Sequence, residues 1–473
     1  MTTDTGKTEF VQAISRLDAT ALVVGSMIGS GIFIVSADIA RQVDSPAGLL
    51  LVWLVAGVTT VIGALTYSEL AALFPRAGGQ YVYLREGISP LFGYLFGWTL
   101  FTVIQTGTIA AVAVAFARFL SVLIPGLTPD VFLGFTVHLP SGPIEMGLSP
   151  QRLVAIACVI VLTWINVHGV RMAAFIQTTF TVIKVLSLAG LALVGLTLGR
   201  HASAIAANFG AGFWPQGGFT LALLPVIGTA LVGALFSMDA WNNVGFASGE
   251  LKQPRRDLPF AMAAGVLTVT TLYLLANLAY LSVLPLSAIA SAPQDRVATA
   301  TLEAIWGQPG LSIMAIAIII STFGCNNGLI LSGARVYYAM ARDGLFFRRI
   351  GTLHPKHHTP AFALVMQALW TCVLCVSGTY SQLLDYVIFA ALVFYLLTAV
   401  GLFALRARRP DAERPVRVPG YPVLPAIYIL LTGAIGIDLL IHKPQYSWPG
   451  LIIVAVGIPV YWAWSSFGKR TAR

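Results

Sequence analysis

The chain is a succession of long apolar blocks, most of them about 20 to 28 residues, separated by short polar segments. A helix needs roughly 20 consecutive apolar residues to cross the hydrocarbon core of a bilayer. In that medium every backbone N–H and C=O must find its partner inside the protein. The pattern therefore selects a polytopic, all-α bundle. A transmembrane barrel would show alternating segments of about ten residues, and none is visible. Composition agrees: of 473 residues, 57% are hydrophobic and 10% charged, against roughly a quarter charged in a soluble domain.

Twelve spans are expected, near 16–41, 47–73, 90–124, 150–167, 171–198, 221–250, 259–284, 310–341, 360–378, 382–405, 424–441 and 449–467. The first and sixth are interrupted. The Arg- and Pro-rich loop 405–423 separates a ten-helix core from two appended helices. The expected organisation is a polar tail 1–15, a five-helix unit 16–198, a second five-helix unit 221–405, two further helices within 424–467, and a tail 468–473. With the N-terminus in the cytoplasm, 21 Lys and Arg residues fall on the inner side and five on the outer. That is the positive-inside distribution, and it puts both termini inside. The outer loop 125–149 has no Lys or Arg and reads as a compact cap.

Other classes lack support. The net charge of +9 lies in short inner loops, with no basic stripe or interleaved aromatics for nucleic acid; weak attraction to anionic lipid is a lesser reading of the run 406–417. Cys158, Cys325, Cys372 and Cys375 lie in apolar blocks and form no disulfide framework. The histidines form no metal cluster, and no nucleophile or base constellation marks an enzyme. Gly6-Lys7-Thr8 lacks the upstream glycine of a phosphate loop. No cleavable signal precedes the first block. The absence of an Asn-x-Ser/Thr sequon favours a prokaryotic source, hence a bacterial inner membrane.

The first span contains Gly25-Ser26-Met27-Ile28-Gly29-Ser30-Gly31. The sixth contains Ser237-Met238-Asp239-Ala240-Trp241-Asn242-Asn243-Val244-Gly245. Gly, Ser and Asn let a helix open, and an opened backbone is tolerated at mid-membrane only where it lines a polar cavity or is buried in protein. Because each break opens a set of five spans, the pattern is that of an inverted repeat with a central solute site. Freed N–H groups suit an anion and freed carbonyls a cation, so a zwitterion satisfies both. Gly25-x-x-x-Gly29 alone reads equally as a helix-packing device. Asp239 shifts the balance, since an intramembrane carboxylate marks function by default. Lys184, in the middle of the fifth span, must find partners inside the protein; it reads as functional or, alternatively, as a structural hub.

Four landmarks stand in order at the ends of these spans: Gly29-Ser30-Gly31-Ile32-Phe33; Tyr67-Ser68-Glu69-Leu70 with Phe74-Pro75-Arg76-Ala77-Gly78-Gly79; Glu250-Leu251-Lys252-Gln253-Pro254-Arg255-Arg256; and Ala334-Arg335-Val336-Tyr337-Tyr338-Ala339-Met340-Ala341-Arg342-Asp343-Gly344. Over nearly its whole length the chain resembles the amino acid–polyamine–organocation superfamily, and within it bacterial relatives of the L-type amino acid transporters. The resemblance implies a five-plus-five inverted repeat (LeuT-like) with discontinuous helices 1 and 6. It implies that a substrate α-carboxylate meets the amides of Ser30, Gly31 and Ile32. The α-ammonium would meet the carbonyls of Met27, Phe236, Ser237 and Asp239, with Phe236 closing from outside. Lys184 would bridge Gly25 to Ser321 and Thr322 where sodium-coupled cousins hold a cation. Trp241, Asn242 and Asn326 are gating or pocket candidates, Trp241 being either a wall behind the site or a ligand. Met238 departs from the aromatic of many relatives. Asp239 departs from a small or neutral residue, and reads either a second positive charge on substrate or a local polar partner.

The expected function is secondary transport of neutral L-amino acids by alternating access, as sodium-independent exchange or facilitated flux. The alternatives are proton-coupled symport, or acceptance of cationic amino acids or polyamines. A channel or sensor fits least. No cofactor or metal is expected. The outer loop between the third and fourth spans has no cysteine, so no disulfide-linked heavy subunit is expected.

Overall fold

The computed structural model describes residues 10–139, 142–377 and 380–470. In chain order the helices are α1 (Arg16–Met27), α2 (Gly31–Val43), α3 (Pro46–Leu73), α4 (Gln80–Gly87), α5 (Pro90–Thr99) and α6 (Gln105–Leu123), followed by strands β1 (Leu133–Leu139) and β2 (Gly142–Leu148). Then come α7 (Pro150–Val167), α8 (Val170–Leu196), α9 (Ala202–Phe209), α10 (Leu223–Ser237), α11 (Asn243–Phe246), α12 (Pro254–Val283), α13 (Leu286–Ala290) and α14 (Val297–Trp306). The last are α15 (Gln308–Arg342), α16 (Ala361–Ser377), α17 (Tyr380–Arg408), α18 (Val423–His442) and α19 (Pro444–Arg470).

The helix starts follow from local chemistry. Ser45 and Ser149 accept from Gly48 N and Arg152 N at 3.1 and 3.2 Å, and each is followed by proline. A proline at the first helical position sacrifices no internal bond. Ser15 and Asp18 cap α1 reciprocally, at 3.2 and 3.1 Å. A π-helical turn, Leu100–Ile104, joins α5 to α6, so the third span is one continuous rod with a bulge.

Among the described residues, ten helical spans are long and apolar enough to cross a membrane, counting α1 with α2 and α5 with α6. The other two expected spans are shorter apolar helices, Leu223–Ser237 and Ala361–Ser377. The sixth is short because its helix stops at Ser237, where the polar break begins. The protein is thus a multi-pass, all-α membrane protein with the five-plus-five inverted-repeat fold, whose first and sixth spans are discontinuous.

The loop expected as a cap carries an antiparallel hairpin pairing Phe135 with Met146. Around the centre, α1 packs on α8, α12 and α15, while α10 packs on α2, α3 and α18. The last contact ties the first of the two appended helices to the core. α18 is built into the wall of the core, with Tyr428 pressed against Gly63 of α3.

Candidate functional site

The site is best read as an account of where the backbone bonds of the first break go. A continuous helix would carry Gly29 N to Gly25 O. Here Gly29 N donates to Met27 O at 2.9 Å, so the carbonyls that end α1 need other partners. Side chains from three helices provide them. Lys184 of α8 donates to Gly25 O at 2.7 Å, Ile28 O at 2.8 Å and Ser321 O at 2.9 Å. These three bonds match the three protons of an ammonium. Cys325 of α15 donates to Ser26 O at 3.0 Å. Ser321 Oγ donates to Ile28 O and Gly29 O at 3.1 and 3.2 Å. Tyr273 of α12 donates to Met27 O at 3.0 Å and to Ser237 O at 3.2 Å, joining the two breaks through one hydroxyl.

Gly31 and Ile32 open α2, so their amides lie ahead of its first intrahelical bond. In the second break, Asp239 N donates to Phe236 O at 3.1 Å and Asn243 N to Ala240 O at 3.2 Å. Between them Ala240 has φ +67°, a left-handed conformation that costs a residue with a Cβ roughly 1–2 kcal/mol. The two breaks touch at Gly31, where an added Cβ would stand 2.7 Å from Ser237 Cβ and 2.9 Å from its Cα. Gly25 is equally closed, its Cβ direction occupied by Thr181 and Gln177 of α8. Every residue of both breaks is buried, Asp239 at 7% exposure.

The Asp239 carboxylate accepts from the Tyr395 hydroxyl of α17. It borders a cavity of about 20 Å³, lined also by Thr59, Thr60, Trp241, Tyr395 and Tyr428. That is room for about one water. Trp241 forms the wall there, edge-on to Tyr67 at 4.8 Å and tilted on Tyr395 at 5.7 Å.

The remaining sequence candidates fall elsewhere. Asn242 donates to Gln80 of α4 at 2.7 Å, and Gln80 in turn donates to Tyr67 and Thr398 at 3.0 and 3.1 Å. Asn242 therefore anchors the break. Asn326 lies against Ile109 and Ala113 of α6 and is fully buried, so it faces a neighbouring helix and not the Asp239 cavity. Thr322 bonds its own helix at Ile318 O, 2.8 Å; the α15 carbonyl that accepts from Lys184 is that of Ser321. Glu250, just beyond the second break, pairs with Arg335 of α15 at 2.8 Å, both 1% exposed. Glu69 is held by Arg406 at 2.5 Å and Arg414 at 3.1 Å. Tyr273, Cys325, Tyr395 and Tyr428 escaped the sequence reading, because a Tyr or Cys within an apolar span looks like packing; Gln80 escaped it as a polar residue at the start of a short helix. Among the described residues no group of three His, Cys, Asp or Glu is placed to hold a metal.

An all-helical membrane bundle whose two interrupted spans meet at its centre is the architecture of a secondary transporter. Residues 14–462 match the family model described as amino acid permease, and the chain belongs to that family: it is an amino acid transporter and not an enzyme. It is 33% identical over 457 residues to the large neutral amino acids transporter small subunit 2 of Mus musculus, covering 95% of this chain and 80% of the relative. It is 27% identical to the b(0,+)-type amino acid transporter 1 of Mus musculus, over 94% of this chain and 86% of the relative. The Asc-type amino acid transporter 1 of Mus musculus is 28% identical, over 95% and 80%.

Proposed function

We propose that the protein carries neutral L-amino acids across a bacterial inner membrane, with both termini cytoplasmic, by sodium-independent exchange or facilitated flux. One observation carries this reading: two opened backbones lie against each other, with the amides of Gly31 and Ile32 ahead of the first intrahelical bond of α2 and the carbonyls at the ends of α1 and α10 bridged by one tyrosine hydroxyl. The substrate carboxylate takes the amides of Ser30, Gly31 and Ile32. Its ammonium takes the carbonyls of Met27, Phe236, Ser237 and Asp239, displacing the Tyr273 hydroxyl that already links two of them. Phe236 closes over it. Filling the gap lets one bundle of helices rock against the rest of the protein.

Sodium independence is supported by Lys184, whose ammonium occupies the carbonyls a metal cation would need. A fixed charge suits exchange; a titrating one suits proton-coupled symport. The Mus musculus relative is named a small subunit. For this chain we infer no disulfide-linked partner, because the outer loop 125–149 has no cysteine. A second reading, acceptance of cationic amino acids or polyamines, is favoured by Asp239. Against it, the carboxylate already accepts from Tyr395, beside a cavity of about 20 Å³.

The test is a competition panel of the common amino acids against one labelled neutral substrate in proteoliposomes, with and without sodium and a pH gradient. Saturable uptake, stimulated by substrate on the far side and indifferent to sodium, is expected. Sodium-dependent uptake overturns the coupling assignment; unsaturable flux with single-channel currents overturns the carrier.

A further inference from the structure

At the end of the bundle where α1 begins, a groove of about 720 Å³ runs between Gln12 and Ala13, Asp18 of α1, the first turns of α8, and Lys252. Its long wall is apolar and faces outward. Phe175 is 71% and Val182 52% exposed, and the stripe continues through Met172 and Leu186 at 40% and 66%. These positions repeat on one face of α8. On a helix that crosses the membrane, such a face meets acyl chains.

The rim is cationic. Arg171 opens α8 and Lys252 follows the second break, both exposed. Neither side chain has a hydrogen bond or ion pair among the described residues. Their neighbours are engaged: Arg16 pairs with Asp257 at 2.8 Å. Asp18, the acid in the groove, accepts from Thr178 at 3.0 Å and from Ser15 N and Oγ at 3.1 and 2.6 Å. Two unengaged cations at the level where α8 leaves the hydrocarbon, above an exposed apolar wall, are complementary in both parts to one kind of molecule.

We propose that this groove seats an anionic phospholipid, its phosphate between Arg171 and Lys252 and an acyl chain along Phe175 and Val182. A basic pocket between membrane helices is a recognised setting for an anionic headgroup. A free phosphate would leave the apolar wall unused, and a zwitterionic headgroup would bring its own cation to the rim. The lipid touches both α1 and α8, the helices that Thr181 Oγ1 ties at Ala21 O, 3.0 Å, and Lys184 at Gly25.

Native mass spectrometry of the full chain, after incubation with equal amounts of phosphatidylglycerol and phosphatidylcholine, reads this directly. Preferential retention of one phosphatidylglycerol is expected. Retention should fall by about fivefold for each cation lost in Arg171→Gln and Lys252→Gln. Thr179→Trp keeps both cations and fills the groove, and should abolish retention even if the charge variants fail to fold. Arg255→Gln with Arg256→Gln removes two basic residues outside the groove and should leave retention unchanged. Equal retention of the two lipids overturns the proposal. So does a loss in the Arg255/Arg256 variant matching that at the rim, or undiminished retention in Thr179→Trp.

Discussion

The ammonium of Lys184 lies 2.7 Å from the carbonyl oxygen of Gly25, across 159 positions of sequence. That carbonyl has lost its helical donor, since Gly29 N turns to Met27 O. A side chain from α8 thus completes the hydrogen bonding of α1, and the same ammonium reaches α15 at Ser321 O. The opened helix is held open by a charge belonging to the protein.

Lys184→Ala should leave the chain foldable and alter transport. It removes three charge-assisted bonds, each counting about 1.5–3 kcal/mol, and takes from Gly25 O the donor that replaced its helical one, while Ile28 O keeps Ser321 Oγ. Initial uptake and exchange in proteoliposomes should fall by at least about tenfold, a change of roughly 1.4 kcal/mol. Unaltered uptake, exchange and pH dependence would remove Lys184 from the mechanism.

Gly31→Ala places a methyl 2.7 Å from Ser237 Cβ. Overpacking of this kind costs about 1–3 kcal/mol, and here the relief available is separation of the two breaks. Substrate affinity should drop while the protein still purifies as a folded, monodisperse particle. Wild-type KM in this variant would mean that the breaks do not form the binding site.

Asp239→Asn should weaken cationic competitors selectively if the carboxylate reads charge, and Tyr395→Phe should strengthen them by releasing that carboxylate. The inhibition constants of arginine and lysine against a neutral substrate measure both. If neither amino acid competes in the parent protein, Asp239 serves the local structure through Tyr395 alone.

Glu69→Gln leaves Arg406 and Arg414 facing a neutral amide. Glu69 is 1% exposed and Arg406 21%. Removal of one partner from a buried pair costs about 3–5 kcal/mol, and solvent at Arg406 places this case near the lower end. A lowered Tm with restoration by Glu69→Asp would identify the clamp on the loop after α17; an unchanged Tm would show that the pair contributes nothing.

How much of this was legible beforehand can be argued residue by residue. Helix placement, the breaks at Gly29-Ser30 and Asp239-Ala240, and the isolation of Lys184 were visible along the chain. A bilayer imposes its demands on each span separately, so block length, helix-breaking residues and a stray charge carry their meaning locally. The sixth span ended early for the same reason that it was recognisable. Asn326 carried no such direction, because a polar residue in an apolar run has none until the helix is packed.

Sequence alone determined an all-helical membrane protein with two interrupted spans and one buried ammonium. Only the tertiary structure decided who completes the interrupted backbone: Tyr273 between Met27 and Ser237, Cys325 at Ser26 and Ser321 at Ile28. Nothing local distinguishes those hydroxyls and that thiol from ordinary packing residues. They acquire a role because buried carbonyls must be satisfied by whatever donor the fold brings within about 3 Å.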